Sequence, residues 1–89
     1  MQGETKSGYK YEIDDRVLKD WRFVEAITEA DKGRGVEQLA GARKMIHLMF
    51  GDNYEKFMDH IAAQNDGYVP AEAVMAEVKE IFENSTPKN

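Results

Sequence analysis

Three short runs, two histidines and a scatter of hydroxyl and carboxylate side chains are the places where this chain could do chemistry. Asn65-Asp66-Gly67-Tyr68-Val69 has the look of the middle of a calcium-binding EF-hand loop. Such a loop needs a glycine at its sixth position, an acidic residue at its first and a bidentate glutamate at its twelfth. With Gly67 at the sixth position, Ala62 falls at the first and Ala73 at the twelfth. Alanine offers no oxygen ligand, so the run reads as a turn between two helices. His47 and His60 lie on different predicted helices and lack the i, i+4 spacing of a zinc pair. Lys32-Gly33-Arg34-Gly35 lacks the glycine spacing and the Lys-Ser/Thr pair of a phosphate-binding loop. Thr5, Ser7, Thr28, Ser85 and Thr86 have no histidine near them in sequence, so no nucleophile–base pair is predicted. Glu72, Glu77, Glu80 and Glu83 recur at helical spacing and read as a solvated face rather than as acid–base catalysts. The expectation is a protein with no catalytic residues, no metal site and no cofactor.

Composition narrows the classes further. The chain has 89 residues, a net charge of −5 and no cysteine. One domain of this length, residues 1–89, buries only about 60–65% of the surface of its unfolded form, which leaves little room for a core and a deep cleft together. Without cysteine there are no disulfides and no thiolate zinc sites. The acidic balance disfavours nucleic acid and anionic membranes as partners. The first residues, Met1-Gln2-Gly3-Glu4-Thr5-Lys6, have no apolar core of the kind a signal peptide needs, and no apolar run reaches the ~20 residues that cross a bilayer. The expected location is the cytoplasm.

The elements that would position any site follow from periodicity. Tyr9, Tyr11 and Ile13 alternate with Lys10 and Glu12, which predicts a strand; Lys6-Ser7-Gly8 predicts a turn, with residues 3–6 pairing back as a hairpin. Asp14 or Asp15 caps a first helix over 15–31, whose stripe is Val17, Leu18, Trp21, Val24 and Ile27, widened by Phe23 and Ala30. Trp21 is expected to be buried in mid-stripe. Gly33 and Gly35 break the chain before a second helix over 36–50, with a main stripe of Leu39, Ala42, Ile46 and Met49. Gly51 ends it. Asp52 and Glu55 form a capping-box-like pair for a third helix over 53–64, with Tyr54, Phe57, Met58 and Ile61 as its apolar face. Pro70 opens a fourth helix over 70–83 that buries Val74, Met75, Val78, Ile81 and Phe82. The fold class is mainly α: a strand or hairpin segment over 1–13, then a compact bundle of about four helices over 14–83. Residues 84–89 are expected to form a frayed polar tail.

Met45 and Leu48 fall off the main stripe of the second helix, and Phe23 lies beside that of the first. A helix that is apolar on two sides must bury both or present one. Phe23, Met45 and Leu48 are therefore the candidate partner-binding residues, with a core that uses both sides of the second helix as the alternative. Five methionines in so short a chain suit an adaptable interface.

The run Lys6-Ser7-Gly8-Tyr9-Lys10-Tyr11-Glu12-Ile13-Asp14-Asp15-Arg16-Val17-Leu18-Lys19-Asp20-Trp21-Arg22-Phe23-Val24-Glu25-Ala26 resembles the start of the small tail assembly chaperones of long-tailed phages and prophages. Gly51-Asp52-Asn53-Tyr54-Glu55-Lys56-Phe57 and Tyr68-Val69-Pro70, with the helix ending Glu80-Ile81-Phe82, resemble their later segments, so that the similarity covers most of residues 5–83. The resemblance implies a non-enzymatic protein that binds the tape measure protein and keeps it soluble during tail assembly. It implies contact with tail tube subunits as they polymerise, action in the host cytoplasm and absence from the finished virion. A homo-oligomer and a longer frameshifted form stay open. The alternative from another class is a small DNA-binding or regulatory protein of a mobile element. That would need a basic face on the third helix, which offers only Lys56, His60 and Gln64 against Glu55 and Asp59.

Overall fold

The computed structural model describes residues 1–85. The chain is mainly α-helical with a short N-terminal hairpin. Strands β1 (Gln2–Glu4) and β2 (Lys10–Glu12) are followed by a 3₁₀ turn over Asp15–Lys19 and by helices α1 (Trp21–Lys32), α2 (Val36–Phe50), α3 (Tyr54–Gln64) and α4 (Ala71–Ser85). A second 3₁₀ turn, Gly51–Asn53, precedes α3. The residues divide into two compact units: Met1–Glu12 with the segment from Asp52 onward, and Ile13–Gly51.

In the first unit the strands pair antiparallel with Gln2 opposite Glu12, Gly3 opposite Tyr11 and Glu4 opposite Lys10. The predicted turn closes the hairpin: Thr5 N–H donates to the Tyr9 carbonyl and Gly8 N–H to the Thr5 carbonyl, both at 2.9 Å. Gly8 sits at φ 93°, a backbone region that glycine enters without steric cost. Alternation buries Tyr11 here and, where the second unit begins, Ile13, as expected. An isolated hairpin is marginal; this one is held by α4, which packs on β1. Phe57, Ile61, Val78 and Ile81 are almost wholly buried, and the Tyr9 ring meets Phe57 edge-on at 5.2 Å. Asn65-Asp66-Gly67 is a turn, as read: Gly67 N–H and Asn65 N–H both donate to the Ala62 carbonyl, and the Asn65 side chain donates to the Ile61 carbonyl. The capping box expected from Asp52 and Glu55 does not form, because residues 51–53 take a 3₁₀ turn and Asn53 becomes the cap position without a side-chain bond. Met75 is exposed rather than buried. Asn84 and Ser85 belong to α4, and the rest of the predicted frayed tail lies outside the described residues.

In the second unit the first helix starts later than periodicity suggests. Asp14 caps only the 3₁₀ turn, and Asp20 caps α1 anew by accepting from Arg22 N–H at 2.8 Å. Val17 and Leu18 are thereby out of phase with the residues that follow. The phase of α1 is set by α2. A Cβ on Gly41 would lie 2.5 Å from the Ala30 nitrogen and 2.6 Å from Glu29 Cβ, so the two backbones cross at the distance only glycine permits. Phe23 precedes Ala30 by seven residues, about two turns, and shares its face; Trp21 precedes it by nine, which at about 100° per residue is the opposite face. The structure follows this geometry. Phe23 and Ala26 are buried, while Trp21 is 72% exposed and Val24 and Ile27 about 40%. The expectation that Trp21 is buried is corrected for this reason. On α2, Met45 and Leu48 lie one and two turns beyond Gly41, on the seam with α1, so the off-stripe residues are this helix's second packed side. Leu39, at the start of the predicted main stripe, is exposed.

Asp14 and Asp20 each grip the arginine two residues on. Arg16 donates to Asp14 with Nη2 at 2.6 Å, and Arg22 to Asp20 with Nη2 at 2.7 Å. The guanidinium hydrogen bonds, aided by the backbone N–H of the same arginine, hold both carboxyls at about 2, below the ordinary 3.8. A folded-state value below the unfolded one means these carboxylates stabilise the fold above about pH 4 and lose that effect as pH falls through about 2.

Two outcomes are expected. Gly41→Val destabilises the protein by about 1–3 kcal/mol in denaturant unfolding, because the clash at the crossing outweighs the roughly 0.5–1 kcal/mol that glycine costs a helix. The stability difference between the wild type and Asp14→Asn/Asp20→Asn shrinks as pH is lowered from 4 to 2, measured at constant ionic strength.

Candidate functional site

Chemistry-bearing side chains gather in one place that sequence proximity did not suggest. The hairpin turn carries Ser7 to α3 and α4, where its Oγ lies 2.8 Å from His60 Nε2, 2.9 Å from Glu77 Oε1 and 3.1 Å from Thr5 Oγ1. Serine and histidine 53 residues apart thus meet, beside a carboxylate. Hydrogen-bond accounting says what the cluster does. Thr5 Oγ1 already accepts from Tyr9 N–H, so its own proton is the one free to go to Ser7. An ionised Glu77 can only accept, so the single Ser7 proton goes to it. His60 Nε2 must then donate to a Ser7 lone pair. In that arrangement the serine proton points at the carboxylate. The cluster ties the hairpin turn to α3 and α4. It is reinforced where Lys6 N–H donates to Glu80 Oε2 at 2.6 Å, and the His60 ring stacks at a tilt on Tyr9. Glu77 and Glu80 therefore face the turn instead of belonging to the solvated face predicted for all four glutamates; Glu72 and Glu83 remain exposed.

The surface with binding geometry lies on the α1–α2 hairpin. Two open grooves run along α1. One, of about 570 Å³, is lined on α1 by Trp21, Val24, Thr28 and Lys32 and closed by Gly33 and Glu37. The other, of about 420 Å³, has Ala26 and Leu48 among its apolar lining and Arg22, Arg43, Lys44 and His47 at its sides. Glu25 and Glu29 line both grooves and form the ridge between them. Lys44 Nζ holds Glu29 at 3.0 and 3.3 Å. Glu25, one turn earlier, makes no ion pair among the described residues.

Of the residues singled out in the sequence as partner-binding, only Leu48 lines this surface. Phe23 is 2% and Met45 6% exposed; both are core, for the phase reason given above. Trp21, Val24 and Glu25 were not assigned to the surface because Trp21 reads as mid-stripe. The signal that could have placed them is Ala40-Gly41-Ala42, a run of small residues within the helix that marks a close crossing. Among the described residues no group of three or more histidine and carboxylate side chains could hold a metal ion, and no helix is long and apolar enough to cross a membrane. Compared with known proteins, the chain matches no family model, no curated protein and no solved structure.

Replacing Ser7 by alanine is expected to cost about 1–3 kcal/mol in denaturant unfolding, because it strands the part-buried Glu77 and His60 groups that it joins.

Proposed function

We propose that this chain is a non-enzymatic binding module: a tail assembly chaperone of long-tailed phages or prophages that captures apolar helical segments of the tape measure protein. It keeps that protein soluble in the bacterial cytoplasm while tail tube subunits assemble around it, and it leaves before the virion is complete. The observation that carries the reading is the placement of Trp21. The only tryptophan of the chain is 72% exposed at the mouth of a groove, with Val24 beside it. Single exposed apolar residues are ordinary. A large aromatic standing beside a concave surface is the residue type and setting of an interface anchor. The second groove supplies Leu48 as a further apolar contact, and grooves along a helix pair suit a helical guest. The resemblance of residues 5–83 to the chaperone family names the guest. The DNA-binding alternative finds less support, since His60, one of the few polar groups of α3 suited to base contact, bonds Ser7.

Co-expression with the tape measure protein tests the reading. Trp21→Ala is expected to stay folded by circular dichroism, as surface substitutions do, and to lose the ability to keep the partner in the soluble fraction. Phe23→Ala, by contrast, is expected to cost about 3–5 kcal/mol and to threaten folding itself. A folded Trp21→Ala that still solubilises the partner overturns the assignment of this surface.

A further inference from the structure

We infer that the free edge of β2 joins a second copy of this chain, strand to strand and antiparallel about Tyr11, so that the two hairpins form one four-stranded sheet. The inference is independent of the partner proposed above. The hairpin leaves its two edges in different states. Thr5 N–H donates to the Tyr9 carbonyl, which makes Thr5 and Tyr9 a hydrogen-bonded pair. Antiparallel ladders alternate such pairs with non-bonded ones. In the register that sets Glu4 opposite Lys10 and Gln2 opposite Glu12, these four residues therefore turn their backbone N–H and C=O groups outward. On β1 that outward side is closed: α4 packs on the strand, and Asn84 Nδ2 donates to the Glu4 carbonyl at 3.5 Å. On β2 the outward groups of Lys10 and Glu12 find no backbone partner among the described residues, and both residues are exposed.

An open strand edge is a template for pairing with another chain, and a lysine on it ordinarily repels a second copy. Here the residues of the edge remove that repulsion. An antiparallel copy centred on Tyr11 sets Lys10 opposite Glu12 and Glu12 opposite Lys10. Both are hydrogen-bonded pairs, and both join opposite charges, which stabilises a ladder. Centring the copy on Lys10 or on Glu12 would set like charges opposite each other instead. The Tyr11 ring does not stand in the way. It lies over Gly3, where a Cβ would be 2.5 Å from the Tyr11 Oη, on the side away from the free edge. The copy supplies the complementary charges itself, and the isologous contact closes at two chains.

Charge reversal tests this. Three-residue strands make a small contact, so the wild type is expected to be monomeric when dilute and to dimerise as its concentration is raised toward about 1 mM, read by sedimentation equilibrium. Lys10→Glu and Glu12→Lys each place two like-charge pairs in the contact, and each should weaken self-association by about tenfold. An equimolar mixture of the two variants restores opposite charges at both pairs and should associate about as tightly as the wild type. With one chain isotope-labelled in that mixture, a magnetisation transfer between the Tyr11 Hα protons of the two chains reads the register. Lys10→Glu also meets Glu4 across the hairpin, whereas Glu12→Lys meets only Gln2. Should the first variant lose its strand in NMR spectra, the second carries the test alone: its association should fall about tenfold below wild type, and the difference should narrow as salt is raised. A wild type that stays monomeric over the whole range overturns the inference and leaves the edge to a strand of another protein. Association that Glu12→Lys leaves unchanged overturns it too, as does a mixture of two folded variants that fails to associate.

Discussion

The backbones of α1 and α2 meet at Gly41 with no space for a side chain between them, and the rest of the second unit follows from that contact. A helix docked at Glu29–Ala30 has its rotation fixed. Phe23 and Ala26 turn inward, and Met45 follows Gly41 along the seam. Trp21, half a turn away from that face, has nowhere to go but out. Ordinarily the transfer of a tryptophan from water is among the largest single gains a small core can make. Here close backbone packing excludes it, and a helix that is apolar on two sides presents one of them. The surface proposed to bind a partner is thus a by-product of how the helix hairpin packs.

The first unit solves a different problem. A hairpin with three-residue strands has too few ladder bonds to stand alone. Its turn is tied to both α3 and α4 by polar groups, with Ser7 shared between His60 and Glu77 and the Lys6 backbone on Glu80. Tyr9 adds an aromatic edge against Phe57 from the same turn. Ser7, His60 and Glu77 thus connect segments far apart in the chain.

Charge and shape act together on the α1 surface. Two ion pairs lie at α1, Arg22 with Asp20 and Lys44 with Glu29. These pairs are exposed and contribute little to stability.

The sequence by itself determined the class and the sites of interruption: mainly helical, an N-terminal hairpin, and chain breaks at Gly33, Gly51 and Gly67. These are local properties. Alternation, helical period and turn chemistry act over a few residues and are legible wherever they occur. The alternating Tyr11 and Ile13, and the faces of α3 and α4 built on Phe57, Ile61, Val78 and Ile81, were readable for the same reason. Tertiary structure alone decided which side of α1 faces inward. Two apolar stripes on one helix are degenerate in sequence, and a backbone contact on another helix broke the tie. It also decided that Ser7 meets His60 and Glu77, because hydrogen bonds across 53 and 70 residues leave no local pattern. The exposure of Trp21 and Val24 was hidden by the same degeneracy that concealed the core roles of Phe23 and Met45.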